Sequence, residues 1–144
     1  MGNRTKRLWV VAGVALSMSS IAWASRDGPV CREHKLNGLY VFTASGYTAN
    51  GAMPKAIVEL LRFNGDGTLS ATGGTVSIGG AITVVQPGVS TGTYTLDEDC
   101  RGTLTFLPSG PNFNIFATPR GEDLWMIQTN PGNIFQGNVT KIAP

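Results

Sequence analysis

The stretch GTYTLDEDCRGTLTF, residues Gly92–Phe106, decides the fold class of this chain. In both halves small or polar residues alternate with larger apolar ones, and this period of two is typical of half-buried β-strands. An acidic triplet, Cys100 and a glycine separate the two halves, as in a turn. The stretch therefore predicts an antiparallel hairpin with Cys100 in its turn.

Short alternating runs of the same kind fill the rest of the chain after about residue 37, with turn residues between them. The clearest pair is AIVELLRF (Ala56–Phe63) and TLSATGGTVSI (Thr68–Ile78), separated by NGDG, whose glycines supply the positive φ angles of a tight hairpin. Eight or nine strands joined by short turns form a meander that must close to hide its edges. We therefore predict an all-β fold, a closed antiparallel up-and-down barrel of about eight strands, with a two-sheet β-sandwich as the alternative.

The first 24 residues have the features of a secretory signal peptide. Basic residues precede an apolar run from Leu8 to about Ala22, and Ala22 and Ala24 supply the small residues that a signal peptidase needs. The apolar run of about 15 residues is shorter than the ~20 that span a bilayer. We predict cleavage after Ala24 and a secreted or periplasmic destination.

After this cleavage the chain would consist of an N-terminal arm, residues 25–36, and a single barrel domain, residues 37–144. Three of the 11 Lys and Arg residues precede Ala24, so the mature chain would carry one more acidic than basic residue, with 9 Asp and Glu in all. No basic cluster remains to attract nucleic acid or an anionic membrane, so we predict neither partner for the mature chain. Residues Gly73–Gly92, rich in glycine, valine and isoleucine, are predicted to form a mobile flap or a poorly protected edge.

The cysteines and acidic residues favour a structural role. Cys31 and Cys100 form an even pair in a chain predicted to be exported, which indicates a disulfide. Two cysteines and one histidine are too few for a typical zinc site, so we predict no metal and no other cofactor. The triplet Asp97–Asp99 offers oxygens for calcium, but neighbouring side chains at a strand end alternate in direction, so a turn pinned by Cys100 is the preferred interpretation.

Glu59 is the candidate for chemistry. In AIVELLRF the period of two places it on the same face as Leu61 and Phe63, the better candidate for the barrel interior. A carboxylate inside a barrel is costly unless it is paired or protonated, so such a group is a functional-site candidate. The alternative is that both faces are partly wet and Glu59 lies outside.

Aromatic and aliphatic side chains are predicted to line any interior pocket together with Glu59, and the candidates are Tyr40, Phe42, Leu61, Phe63, Tyr94 and Trp125. Many of them serve equally well as plain core, because a small eight-stranded barrel is often filled by its own side chains. The single histidine of the chain, His34, stands in a polar segment and offers no catalytic triad.

The segments NGLYVF, RFNGDGTL, GTYTLDEDCRGTLTF and IQTNPGNIFQGNV, together with the leader, resemble a group of small exported bacterial β-barrel proteins. This group is similar in architecture to the lipocalin and allene oxide cyclase barrels. The resemblance implies the barrel fold and carries over no catalytic residue.

These observations support three functions. The first is a module that binds a small hydrophobic molecule in the barrel interior. The second is an enzyme of the cyclase or isomerase type acting on an apolar substrate, with Glu59 as acid–base group. The third is a structural or protein-interaction domain, which an exposed apolar patch would favour.

Overall fold

A computed structural model of the chain describes residues 30–48 and 50–144. The predicted signal peptide and the beginning of the predicted arm lie outside the described residues. The described part contains a short 3₁₀ turn at Glu33–Lys35 and no helix long and apolar enough to cross a membrane. Its strands are β1 Asn37–Thr48, β2 Met53–Asn64, β3 Thr68–Ile78, β4 Ala81–Val85, β5 Thr91–Leu96, β6 Arg101–Leu107, β7 Asn112–Ala117, β8 Asp123–Gln128 and β9 Ile134–Ala143.

Eight of these strands form a closed antiparallel barrel. Each pairs with the next in the order β1-β2-β3-β5-β6-β7-β8-β9, and β9 pairs back onto β1. Two β-sheets packed face to face would leave open edges, whereas here the pairing continues around the whole ring. The predicted up-and-down barrel is therefore confirmed, and the sandwich alternative is wrong.

The turn between β2 and β3 has the predicted chemistry. Gly65 and Gly67 have φ angles of +77° and +85°, the region that favours glycine. Between them, Asp66 Oδ1 accepts hydrogen bonds from the backbone N–H and the hydroxyl of Thr68, at 3.0 and 2.6 Å. The aspartate therefore stabilises the hairpin turn, and the long β2–β3 ladder begins there.

The extra strand, β4, is an edge. The first residues of β3, Thr68–Ser70, pair with β5, whereas its later residues, Gly74–Ile78, pair with β4. In the described sheet β4 has β3 as its one partner, and its side chains Ile82 and Val84 are 64% and 60% exposed. The predicted poorly protected edge within residues 73–92 is thus confirmed.

The N-terminal arm covers one end of the barrel, which we call the closed end. Cys31 and Leu36 are fully buried there, and the sulfur atoms of Cys31 and Cys100 lie at disulfide-bonding distance. The Cys31 N–H also donates to the carbonyl of Glu98 at 3.3 Å, and Arg32 pairs with the Glu98 carboxylate at 3.1 Å. The arm is therefore attached to the turn between β5 and β6 through both backbone and side chains.

That turn contains the DEDC sequence. The backbone carbonyl of Asp97 accepts a hydrogen bond from the Cys100 N–H at 2.9 Å, and the Asp97 N–H donates to the Arg101 carbonyl at 2.7 Å. Cys100 has a φ of +68°. The Asp99 carboxylate forms an ion pair with Arg101. The acidic triplet thus closes a hairpin that holds the arm, as the preferred interpretation of the sequence states.

Removing the disulfide should destabilise the barrel without unfolding its architecture. The bond joins residues 69 positions apart, and a loop of this length contributes about 4 kcal/mol in the chain-entropy model. We expect Cys100→Ser to lower the free energy of unfolding by about this amount, as measured by urea denaturation. The double variant with Cys31→Ser is the control and should equal the single one; a loss below about 1 kcal/mol in both would contradict the anchoring role.

Candidate functional site

Three aromatic residues that were predicted to line a pocket fill the closed end of the barrel instead: Tyr40, Phe63 and Tyr94. The Tyr40 hydroxyl donates to the Gly121 carbonyl at 2.6 Å, and the Tyr94 hydroxyl donates to the Leu36 carbonyl at 3.0 Å. Phe63 lies between the two tyrosine rings, with centroids 5.0 and 5.2 Å away in edge-to-face contacts. Burial raises the pKa of Tyr40 to about 12, so its hydroxyl remains protonated as the donor that this hydrogen bond needs. These side chains fill the interior at this end of the barrel.

The other end of the barrel, which we call the open end, is hollow. A cavity of about 210 Å³ lies there, and its wall is mostly apolar. Of the predicted pocket residues, Phe42 and Glu59 line this cavity, whereas Leu61 is fully buried in the packed core. The lining residues are Phe42, Lys55, Ile57, Glu59, Val76, Val85, Ser90, Phe106, Leu107, Gly110, Pro111, Phe113 and Phe135.

Four phenylalanine rings line the cavity. Phe113 contacts Phe42 and Phe106 edge-to-face, with centroids 6.3 and 6.1 Å apart. Phe135, from β9, faces the ammonium group of Lys55, whose Nζ lies 4.4 Å from the ring centroid. The rings come from four different strands, so only the closed barrel brings them together.

Glu59 is the buried carboxyl of this cavity. It is 5% exposed, and within residues 30–48 and 50–144 no other polar or charged side chain is buried to this degree. None of the hydrogen bonds or ion pairs among these residues involves its carboxylate. Burial raises the pKa of Glu59 from 4.5 to about 7, and the positive charge of Lys55 offsets part of this effect. The cavity therefore contains an unpartnered acid that gains and loses its proton near neutral pH.

The inward direction of Glu59 follows from the alternation along β2. Leu61 and Phe63 on the same face are both buried, and Ile57 also lines the cavity. Opposite Glu59 on β3 stands Gly74, where an added Cβ would lie 2.8 Å from the Glu59 Cα. The structure thus places Glu59 in the interior, one of the two positions that the sequence left open, while its functional role stays a prediction.

Lys55 also lines the cavity, and the sequence analysis did not identify it. Lys55 lies on the same face of β2 as Ile57 and Glu59. The alternation of the run Ala56–Phe63, continued to the preceding residue, would therefore have predicted that Lys55 points inward. Burial lowers its pKa, and the negative charge of Glu59 acts in the opposite direction. Lys55 and Glu59 thus influence each other across the cavity without forming an ion pair.

Trp125 was predicted to line the interior, and this prediction is wrong. Its side chain is 50% exposed on the outside of β8, whereas its neighbours Leu124 and Met126 are buried. The segment DLWMIQ is apolar on both faces, so its alternation does not identify the inner one. Pairing with β7 and β9 sets the direction instead.

Trp125 belongs to an exposed apolar surface that we call the outer wall. The cross-strand partner of Trp125 on β7 is Phe116, 46% exposed, and Ile127 lies next to them on β8. A shallow groove of about 740 Å³ runs from these side chains across β9 and β1 to Val58, 56% exposed on β2. None of the residues that line the groove carries a charge.

Comparisons of the chain with protein-family models, with curated proteins and with solved structures found no match. The cavity and the outer wall are therefore the features from which a function is inferred.

The buried carboxyl predicts a specific pH dependence of stability. Because the folded state binds the Glu59 proton more tightly than the unfolded state, it holds more protons between pH 4.5 and about 7, and stability falls as the pH rises through this range. We expect the wild type to lose roughly 2–3 kcal/mol that Glu59→Gln does not lose, measured by urea denaturation at pH 5 and pH 8. All other titrating groups are common to both proteins, so equal pH profiles would show that Glu59 is not buried as described.

Proposed function

We propose that this protein binds a small, mainly apolar molecule in the cavity at the open end of the barrel. The observation that carries the proposal is the pairing of an aromatic cavity with a carboxyl that is 5% exposed and has no partner among the described residues. Leaving such a group unpaired costs folding free energy. A bound molecule with one hydrogen-bonding group would satisfy the carboxyl while its apolar part contacts the phenylalanine rings.

The size of the cavity limits the ligand. An engineered apolar cavity of roughly 150 Å³ in another protein takes up benzene, and the present cavity has about 210 Å³. A single substituted ring or a short branched chain fits within such a volume, whereas a long acyl chain would leave part of its apolar surface in solvent. The proposed ligand is therefore a molecule of about the size of one substituted ring.

Filling the cavity should abolish binding. Val85 of β4 lines the cavity, and Val84 beside it points outward with 60% exposure. We expect Val85→Trp to lose, and Val84→Trp to retain, the adduct that native mass spectrometry detects on protein purified from the exported fraction of its host. Both changes add the same side chain to the same strand, so the comparison separates occupancy of the cavity from general damage to β4.

Two results would contradict the proposal. One is an adduct that survives in Val85→Trp. The other is a wild-type protein that carries no adduct and whose cavity residues show no chemical-shift change when toluene is added.

The pKa of Glu59 favours an enzyme as a second candidate. A group that titrates at about 7 can both take up and release a proton at neutral pH, as a general acid–base group must. A cyclase or isomerase would use the same cavity to hold its apolar substrate. The fate of the bound compound distinguishes the two functions: a carrier returns it unchanged, whereas an enzyme converts it, and Glu59→Gln stops the conversion.

The outer wall favours self-association as a third candidate. In a two-fold symmetric dimer the same surface meets itself, so a charged wall would place like charges opposite one another. The groove beside Trp125 is free of charged side chains, and large apolar groups such as Phe116 and Ile127 are exposed there. A second copy of this chain is therefore the occupant that we propose for it.

Sedimentation velocity tests this association. We expect Trp125→Lys to convert dimer into monomer, because it places two buried charges opposite each other in the interface. Ile82→Lys, on the exposed side of β4, is the control and should leave the dimer intact. A wild type that sediments as a monomer at every concentration would exclude this role of the outer wall.

We propose further that the mature protein is exported to an oxidising compartment. The Cys31–Cys100 pair supports this, since disulfides persist outside the reducing cytosol. The intact mass of the exported protein tests the predicted processing: a chain that begins at a residue other than Ser25 would contradict cleavage after Ala24.

A further inference from the structure

The polar groups of the cavity limit the class of ligand further. Among the residues that line it, Lys55 and Glu59 are the titratable ones, and Ser90 adds one hydroxyl. The others, from β1, β2, β3, β4, β6, β7 and β9 and the adjoining loops, are apolar or glycine. Neither the ammonium of Lys55 nor the carboxyl of Glu59 forms an ion pair with a described residue. The cavity thus holds one positive group and one titratable acid that are both unpaired.

The backbone gives Lys55 the room to reach into the cavity. Gly46 of β1 stands between Lys55 of β2 and Phe135 of β9 in the ladder, so no side chain separates them. An added Cβ at Gly46 would collide with the carbonyl oxygen of Ile134. The Lys55 side chain therefore crosses the gap, and its ammonium lies 4.4 Å from the Phe135 ring centroid.

The balance of charge decides between an organic cation and an organic anion. An ammonium ligand would join Lys55 and leave two positive charges against one carboxylate in an apolar cavity, which is unfavourable. A carboxylate ligand would pair with Lys55, and Glu59 would take up one proton from solvent and donate its O–H to the ligand. The cavity would then contain one cation, one anion and a neutral acid, with both unpaired groups engaged in charge-assisted hydrogen bonds.

We propose that the ligand of this cavity is a small monocarboxylic acid of about the size of a substituted ring, bound as its anion between Lys55 and a protonated Glu59. This inference rests on the proposed function and names the ligand class of the same site. The volume of about 210 Å³ holds a ring-sized acid, whereas the chain of a long-chain acid would extend out of the open end into solvent. The apolar part of the acid would contact the rings of Phe42 and Phe113.

Benzoate, benzyl alcohol and benzylamine are the probes, because they share one ring and differ in charge. Calorimetric or NMR titrations at pH 6 and pH 8.5 measure their affinities. We expect benzoate to bind at least about tenfold more tightly than either other probe at pH 6. Since its binding requires a proton on Glu59, which titrates at about 7 in the free protein, its dissociation constant should rise about 30-fold by pH 8.5. Titrations at pH 8.5 in buffers of different ionisation enthalpy should then show uptake of about one proton.

Two variants separate the roles of the charged groups. Glu59→Gln retains an N–H donor in place of the protonated acid, so it should bind benzoate at pH 8.5 about as well as at pH 6. Lys55→Met retains most of the side-chain length and loses the charge, so it should weaken benzoate binding and leave benzyl alcohol binding unchanged. Arg62→Met removes a positive charge from the exposed side of β2, and it should change the binding of neither benzoate nor benzyl alcohol.

Each contrary result has a distinct meaning. If benzylamine binds most tightly and gains affinity above pH 7, Glu59 acts as an anion and the assignment of an acid is wrong. If benzyl alcohol binds as well as benzoate, the site takes neutral molecules and the assignment is equally wrong, while the proposed function stands. If none of the three probes binds to the wild type at either pH, the proposed function itself fails.

Discussion

The closure of β9 onto β1 is the constraint on which the rest of this structure depends. It lets the barrel form without a second sheet, and two glycines make the close approach possible. At Gly137 of β9 an added Cβ would collide with the Ala44 side chain, and at Gly46 of β1 it would collide with the backbone of β9. Closure creates an interior with a closed end and an open end, and the difference between these ends gives the molecule its candidate site.

The two ends of the barrel differ in whether their buried polar side chains have hydrogen-bond partners. At the closed end the hydroxyls of Tyr40 and Tyr94 reach backbone carbonyls, and the disulfide-bonded arm covers the core. At the open end the Glu59 side chain is 5% exposed, and its carboxyl has no hydrogen-bond or ion-pair partner among the described residues. Burying a carboxyl without a partner reduces stability, and its raised pKa expresses this cost. Such a local violation of packing rules is expected where a protein binds or transforms another molecule.

The sequence predicts the parts of this structure that depend on local alternation. The turn chemistry of Asn64–Gly67 predicts the hairpin, and the period of two in Ala56–Phe63 favours an inward Glu59 without deciding it, because apolar residues lie on both faces of that run. The disulfide follows from cysteine number and the leader. The number of strands and the short turns between them favour the barrel over the two-sheet sandwich, which only the pairing of β9 with β1 excludes.

The remaining features depend on contacts between distant segments. The inner face of β8 could not be predicted because Leu124, Trp125, Met126 and Ile127 are apolar on both faces, and only pairing with the neighbouring strands selects one. Alternation does not distinguish a cavity-lining side chain from one in the packed core either. Phe42 and Phe63 both face inward, yet the arm covers the end that contains Phe63 and leaves the cavity beside Phe42.

The titration of the Glu59 carboxyl carbon by NMR tests the central claim most directly. Glu59→Gln identifies the resonance, and the chemical shift followed from pH 3 to pH 9 gives its midpoint in the free protein. The structure predicts a midpoint of about 7, because the carboxyl is buried in an apolar cavity with Lys55 as its nearest compensating charge. A midpoint near the ordinary value of 4.5 would show that Glu59 is solvated or paired, and would contradict the site proposed at the open end.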